Sequence, residues 1–240
     1  MVSATQMATE MPLAMHMSDG LVNAPTAVGF GLVALVGLAI AVHRARADLD
    51  DRTAPMAGLV TAFVFAVQMI NFPILPGASG HLLGGALVAI LVGPWVGSLC
   101  IAIVLVVQAF LFADGGLTAL GTNIVNMALV GVLVGHAVAT MMRPLARRGR
   151  AGLVATAFVA ALVNTVVAAL AFVLEYAIGG AGGASLGTVA ALMLGLHVLI
   201  GIGEGVITAA TVGAVAAVRP DLVYLLRGTA APLEVRGSAS

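Results

Sequence analysis

The chain contains no lysine: its ten basic residues are all arginine, and they balance ten acids across 240 residues. A Walker A site needs a lysine to reach the β- and γ-phosphates of a nucleotide, so any ATP hydrolysis behind this protein's work belongs to a partner. The balanced charge leaves no basic footprint for nucleic acid. Cysteine is nearly absent as well, and the lone Cys100, inside an apolar run, excludes an internal disulfide framework and a multi-cysteine metal site; it reads as a small core residue. His-Glu-x-x-His does not occur, and alternation at period two is missing, which argues against a β-barrel. Charge of either sign is scarce, at 8% of residues against about 25% in soluble domains. What fills the chain is apolar residue, 61%, with 30 glycines. That composition belongs to an integral membrane protein.

A helix crosses a bilayer with about 20 mostly apolar residues, because every backbone polar group must be satisfied internally. Seven runs fit an all-α membrane fold, roughly 27–43, 55–71, 81–97, 98–113, 117–141, 151–177 and 187–218. Gly93-Pro94 interrupts the third and fourth, since proline removes a donor and clashes with the preceding turn; residues 81–113 are two tightly joined spans or a partly re-entrant hairpin. Gly201, Gly203 and Gly205 offer a kink in the overlong seventh span. Arginines cluster at 44, 46 and 52, at 143, 147, 148 and 150, and at 219, 227 and 236. The positive-inside rule makes these segments cytoplasmic, which puts the N-terminus outside and the C-terminus inside. Residues 1–14 have neither the basic start nor the apolar core of a classical signal peptide, so the first span is expected to direct insertion. The expected organisation is an extension over 1–14 that is mis-annotated or removed, one transmembrane metal-binding domain over 15–218, and a cytoplasmic tail over 219–240.

Polar groups at membrane depth mark function or helix-to-helix bonding. They are Gln68, Asn71, His81, Gln108, Asn123, Asn126, His136, Asn164, Glu175, His197 and Glu204. Gln68, Asn71, His81, Asp114 and Glu175 fall near the outer ends of their spans. His43 and His136, near inner ends, read as interfacial or packing residues. His197 and Glu204 share a helical face about 10.5 Å apart, too far to hold one ion, and are expected to bond to different partners. His81 follows the glycine- and proline-punctuated stretch 71–80, which can carry an imidazole toward the bundle axis or leave it as a packing residue.

Before the first span lies Met15-His16-Met17-Ser18-Asp19-Gly20. If the mature chain begins at Met15, its free amine, the amide nitrogen of His16 and the imidazole Nδ1 of His16 close two fused chelate rings on one ion. Four methionines, at 1, 7, 11 and 15, offer possible translation starts. A start at Met15, or a cut after Ala14, is therefore expected.

The Met-His-x-x-Asp-Gly segment, the runs Met69–Pro73, Ser79–Leu87 and Val107–Asn123, and Ile200-Gly201-Ile202-Gly203-Glu204-Gly205 together resemble the CbiM/NikM family. These are the substrate-binding membrane subunits of energy-coupling-factor transporters for cobalt and nickel. The resemblance spans residues 15–218, with Gly77-Ala78-Ser79 where the family usually has Gly-Thr-Ser. It implies an ion held by Met15, His16 and His81 through four nitrogens. Such a plane suits Ni²⁺, tolerates Co²⁺ and excludes Mg²⁺ and Ca²⁺; tetrahedral zinc is disfavoured by geometry. Gln68, Asn71 and Gln108 are candidates to orient the imidazoles. The implied partners are two ATPase subunits, a transmembrane coupling subunit and a small accessory membrane subunit. The small-xxx-small spacings Ala27 to Gly31 and Gly37 to Ala41 serve close approach to such a partner or internal packing.

The expectation is thus a non-enzymatic plasma-membrane subunit without a resident cofactor, which captures Ni²⁺ or Co²⁺ outside for ATP-driven import. The rival from another class is a self-contained ion-coupled permease, with Glu175 and Glu204 as carriers of the coupling ion. A membrane metalloenzyme lacks a paired-ligand motif with a base.

Overall fold

The structure, a computed structural model, describes residues 16–51, 53–70, 72–75 and 78–227. Met15, Asn71 and the expected extension over 1–14 lie outside the described residues. The chain runs α1 (Ala24–Ala45), α2 (Thr53–Gln68), β1 (Phe72–Leu75), β2 (Ala78–Gly80), α3 (Gly85–Val92), α4 (Pro94–Leu111), α5 (Leu120–Met141), α6 (Arg143–Ala146), α7 (Arg150–Gly179) and α8 (Leu186–Val218). Two 3₁₀ turns follow, Pro220–Leu222 and Tyr224–Leu226. Among the described residues five helices, α1, α4, α5, α7 and α8, are long and apolar enough to cross a membrane, and α2 is a shorter apolar helix.

The expected third span, 81–97, is not one helix. Its first four residues are not helical, α3 has eight residues, and Trp95 and Gly97 belong to α4. Eight residues make a helix of about 12 Å, far less than the roughly 30 Å hydrocarbon core. All eight are buried, so α3 is a half-helix walled in by the other elements. Glycines with positive φ bound it, Gly84 at +79° and Gly93 at +90°. Pro94 then starts α4, where its missing N–H costs nothing.

The stretch between α2 and α3 forms an antiparallel ribbon, Phe72 opposite Gly80 and Pro73 opposite Ser79, with an irregularity before Leu75 meets Ala78. It is the exception to the expected all-helical class. α5 takes π-helical geometry over Ile124–Gly131, a widening frequent at functional sites. α8 is helical throughout from Leu186 to Val218. There Gly201 and Gly205 admit α7: a Cβ would come within 2.9 Å of Leu162 and 2.7 Å of Phe158.

The small residues of α1 are likewise used internally. A Cβ on Gly121 would meet the Gly31 Cα at 2.5 Å, and Gly37 faces Leu129. The segment after α8 folds back on the bundle: the Arg143 guanidinium donates to the carbonyls of Leu225 at 3.0 Å and Arg227 at 2.5 Å, and Arg227 donates to Thr53 Oγ1 at 2.7 Å.

Candidate metal centre

Residues 16–23 enter the bundle through hydrogen bonds to two loops. Asn123, on α5, brackets Met17: its Oδ1 accepts from the Met17 amide at 2.8 Å and its Nδ2 donates to the Met17 carbonyl at 3.0 Å. That carbonyl also accepts from the Gly116 amide at 3.0 Å. One oxygen of Asp19 accepts from the Thr118 amide at 2.7 Å and hydroxyl at 2.5 Å. These bonds, the hydroxyl's first, hold the Asp19 carboxyl below its ordinary pKa. On the other side the Asn23 amide donates to Gly179 at 2.7 Å and the Ala181 amide to Leu21 at 2.9 Å. Asn23 then caps α1 through the Thr26 amide at 3.0 Å.

This tethering buries His16, which is 3% exposed. Its Nδ1 lies 3.1 Å from an Asp114 carboxylate oxygen. Ala113 reaches the left-handed region, φ +52°, next to Gly115 at +85°, and this turn presents Asp114 to the imidazole. The His16 hydrogen bond holds the Asp114 carboxyl below the usual carboxylate range, against the opposing effect of burial. An ionised carboxylate only accepts, so Nδ1 carries the hydrogen and the lone pair falls to Nε2. Among the described residues nothing bonds to that Nε2.

His81 opens the non-helical stretch 81–84 between β2 and α3, and it is 2% exposed. Its ring centroid stands 4.6 Å from that of His16, with the planes inclined at 39°. The stretch is held from two sides. From α2, Gln68 Nε2 donates to the Leu83 carbonyl at 2.6 Å. From α8, Glu204 accepts the Leu83 amide on Oε2 at 2.8 Å and the Gly84 amide on Oε1 at 3.0 Å.

The two histidines singled out in the sequence, 65 positions apart, are therefore brought ring to ring. Gln68 and Gln108 each keep an Oε1 without a hydrogen-bond partner among the described residues. Gln68 bonds to backbone rather than to an imidazole, and Gln108 Nε2 faces the Met69 sulfur at 4.0 Å. Asn71 and Met15 lie outside the described residues. The sequence marked Asn123 as a polar group at membrane depth, Asp114 as lying near an outer end and Asp19 as part of the N-terminal motif, but assigned none of them a partner at the site. His197 and Glu204 have separate partners, as expected: His197 Nδ1 bonds to the Met193 carbonyl at 2.6 Å.

Two neighbouring imidazoles can share a borderline transition-metal ion. Among the described residues no group of three or more His, Cys, Asp and Glu forms a metal cage.

Residues 16–222 match the family model CbiM, described as a cobalt uptake substrate-specific transmembrane region. A protein of Archaeoglobus fulgidus provisionally named a fused nickel transport protein, NikMN, is 39% identical over 209 residues, 87% of this chain and 68% of its own. The cobalt transport protein CbiM of Sorangium cellulosum is 32% identical over 220 residues, 89% of this chain and 96% of its own. A crystal structure described as a transition metal transporter superposes with a TM-score of 0.78 at 28% identity, over 89% of this chain and all of that one.

Proposed function

Because the chain belongs to the CbiM family of cobalt uptake substrate-specific transmembrane regions, we propose that it captures Co²⁺ or Ni²⁺ outside the plasma membrane for ATP-driven import. It is the substrate-binding subunit of an energy-coupling-factor complex. A coupling subunit and ATPase subunits act on its cytoplasmic side, and a small accessory membrane subunit completes the assembly. The N-terminus faces outside and the C-terminus inside.

The ion is the cargo, held by the Met15 amine, the His16 amide nitrogen and Nδ1, and His81 Nε2. The observation that carries this reading is the 4.6 Å approach of the His16 and His81 rings at the end of a segment tied down by Asn123 and Asp19. Use of Nδ1 exchanges its hydrogen bond with Asp114 for a bond to the ion, and chelation displaces protons from amine and imidazole. Affinity therefore falls with acid. Four nitrogens in a plane favour nickel over zinc.

The permease reading asks Glu175 and Glu204 to carry a coupling ion. Both Glu204 oxygens are engaged by Leu83, Gly84 and Thr165, whereas Glu175 accepts from Asn126 on one oxygen and its other has no hydrogen-bond partner among the described residues. The test is metal stoichiometry on purified protein beginning at Met15. One Ni²⁺ per chain is expected, lost in His16→Ala and in His81→Ala and kept in His43→Ala and His136→Ala. One-to-one binding retained in His81→Ala would reject the loop histidine as a ligand.

A further inference from the structure

His81 Nδ1 lies 2.9 Å from the carbonyl oxygen of Leu82. That carbonyl and the amide of Leu83 are the two ends of one peptide unit, and the amide end donates to Glu204 Oε2 at 2.8 Å. A carboxylate on α8, a peptide plane and an imidazole thus form one continuous hydrogen-bonded chain. A carbonyl only accepts, so Nδ1 must carry the hydrogen, and in the neutral ring the lone pair belongs to Nε2. Metal-binding histidines commonly receive such bracing from a carboxylate or a carbonyl. Here the two are in series, so the carboxylate orients and polarises the peptide that orients the ring.

Glu204 suits this role by its own surroundings. Its oxygens collect the amides of Leu83 and Gly84, the Thr165 hydroxyl at 2.9 Å and Asn164 Nδ2 at 3.5 Å. The two amides, together with a Thr165 hydroxyl whose one hydrogen is shared with the Ala161 carbonyl at 2.9 Å, converge on a buried side chain, 1% exposed, which fixes it from α7 and from the entrance of α3 together. A glutamine would turn an NH₂ group toward one of these donors and break the set.

We propose that Glu204 is a positioning residue of the metal site, which sets the orientation and tautomer of His81 through the Leu82–Leu83 peptide without touching the ion. The proposal rests on the reading of His81 as a ligand. It assigns the α8 glutamate, 121 positions from Leu83, to the geometry that selects the ion.

The test compares Glu204→Gln, His81→Ala, the double variant and Thr165→Val, each purified from a start at Met15 and titrated with Ni²⁺ and with Zn²⁺. Glu204→Gln should weaken Ni²⁺ binding about 10- to 100-fold and lower the nickel-to-zinc preference. It should also shift the Ni²⁺ ligand-field absorption toward that of His81→Ala, while far-ultraviolet circular dichroism stays unchanged. The double variant should bind no worse than His81→Ala alone, because the two residues act through one imidazole. Thr165→Val, which removes one donor from Glu204, should give a smaller loss in the same direction. Wild-type affinity and absorption in Glu204→Gln, or losses that add in the double variant, would overturn the proposal. If Glu204→Gln does not fold, Thr165→Val decides, and unchanged affinity and absorption there would overturn it. Wild-type binding by His81→Ala would instead refute the ligand assignment itself, whereas loss in His81→Ala without loss in Glu204→Gln refutes only the role of Glu204.

Discussion

Asn123 sets the depth of the N-terminal segment, because one side chain grips both the amide and the carbonyl of Met17. Removing it strands the Met17 amide, at about 1–3 kcal/mol for a buried group left unsatisfied, while the Met17 carbonyl keeps its bond from the Gly116 amide. Asn123→Ala should loosen residues 17–19, seen as faster amide exchange there, and should weaken Ni²⁺ binding; Asn123→Asp, which keeps the acceptor, should be less severe on the Met17 amide. Unchanged exchange in Asn123→Ala would show that other contacts hold the segment. The Asp19–Thr118 latch has a pH signature. The folded carboxyl lies below its ordinary pKa, so its contribution is complete above about 3.9, the unfolded value. That contribution is lost as pH falls through the lower folded value. Exchange of the Thr118 amide should therefore accelerate only in the acid limb, and Asp19→Asn should abolish that limb. At this scale the sequence singled out His16 and His81, whose rings the structure brings to 4.6 Å. Depth in a span does not reveal direction: Gln68 and Gln108 turn their Nε2 to the Leu83 carbonyl and the Met69 sulfur, contacts that the sequence did not indicate. Asp114 reaches His16 across 98 positions, a proximity that only the packing of α4 and α5 creates.

α3 is the element on which the site depends, because its entrance carries His81 and its eight buried residues fix where that entrance lies. Gly84 makes the turn into it at φ +79°, where a Cβ would come within 2.9 Å of both Val64 methyls. Valine at χ1 is too stiff to yield easily. Gly84→Ala should lower the unfolding midpoint in detergent, with a conformational cost of about 1–2 kcal/mol, and should displace the two amides that Glu204 holds, weakening nickel binding. A variant with wild-type midpoint and affinity would show that the turn tolerates a side chain. Helix positions were largely legible, because α1, α2, α5, α7 and α8 follow apolar runs bounded by arginine, glycine or a cap. The break at Gly93-Pro94 was legible too. The half-helix was open only as one of two alternatives, the partly re-entrant hairpin, since hydropathy measures how apolar residues 81–97 are and not where the helix begins. The ribbon over 72–80 escaped for a related reason: proline and glycine announce a turn without specifying the pairing.

For the whole molecule, the arginine-bearing segments after α1, after α5 and after α8 gather on one side, with Arg143 and Arg227 tying two of them together. His16 lies toward the opposite end, beside the α4–α5 loop and the α7–α8 turn. A topology with capture outside and coupling inside predicts sided labelling: single cysteines at Ala47 or Arg148 should react with an impermeant maleimide only after the membrane is opened. A cysteine at Ala184 should react in intact cells. The reverse pattern would invert the molecule and remove the case for external capture. Composition made the membrane class legible, and the family motifs made the cargo class legible. Neither could show that one bundle end collects the N-terminal segment, the His81 stretch and the two loops, because that convergence is a property of packing.

Anomalous diffraction at the nickel edge, from crystals of protein beginning at Met15 grown with Ni²⁺, tests the composite site most directly. A single strong peak is expected between the two imidazoles, about 2 Å from a nitrogen of His16 and from one of His81, the bond length of a first-row metal to imidazole. A peak bound to the N-terminal segment with the His81 ring turned away, or one located among Asn126, Met193 and His197 instead, would contradict a site shared between the tail and the bundle.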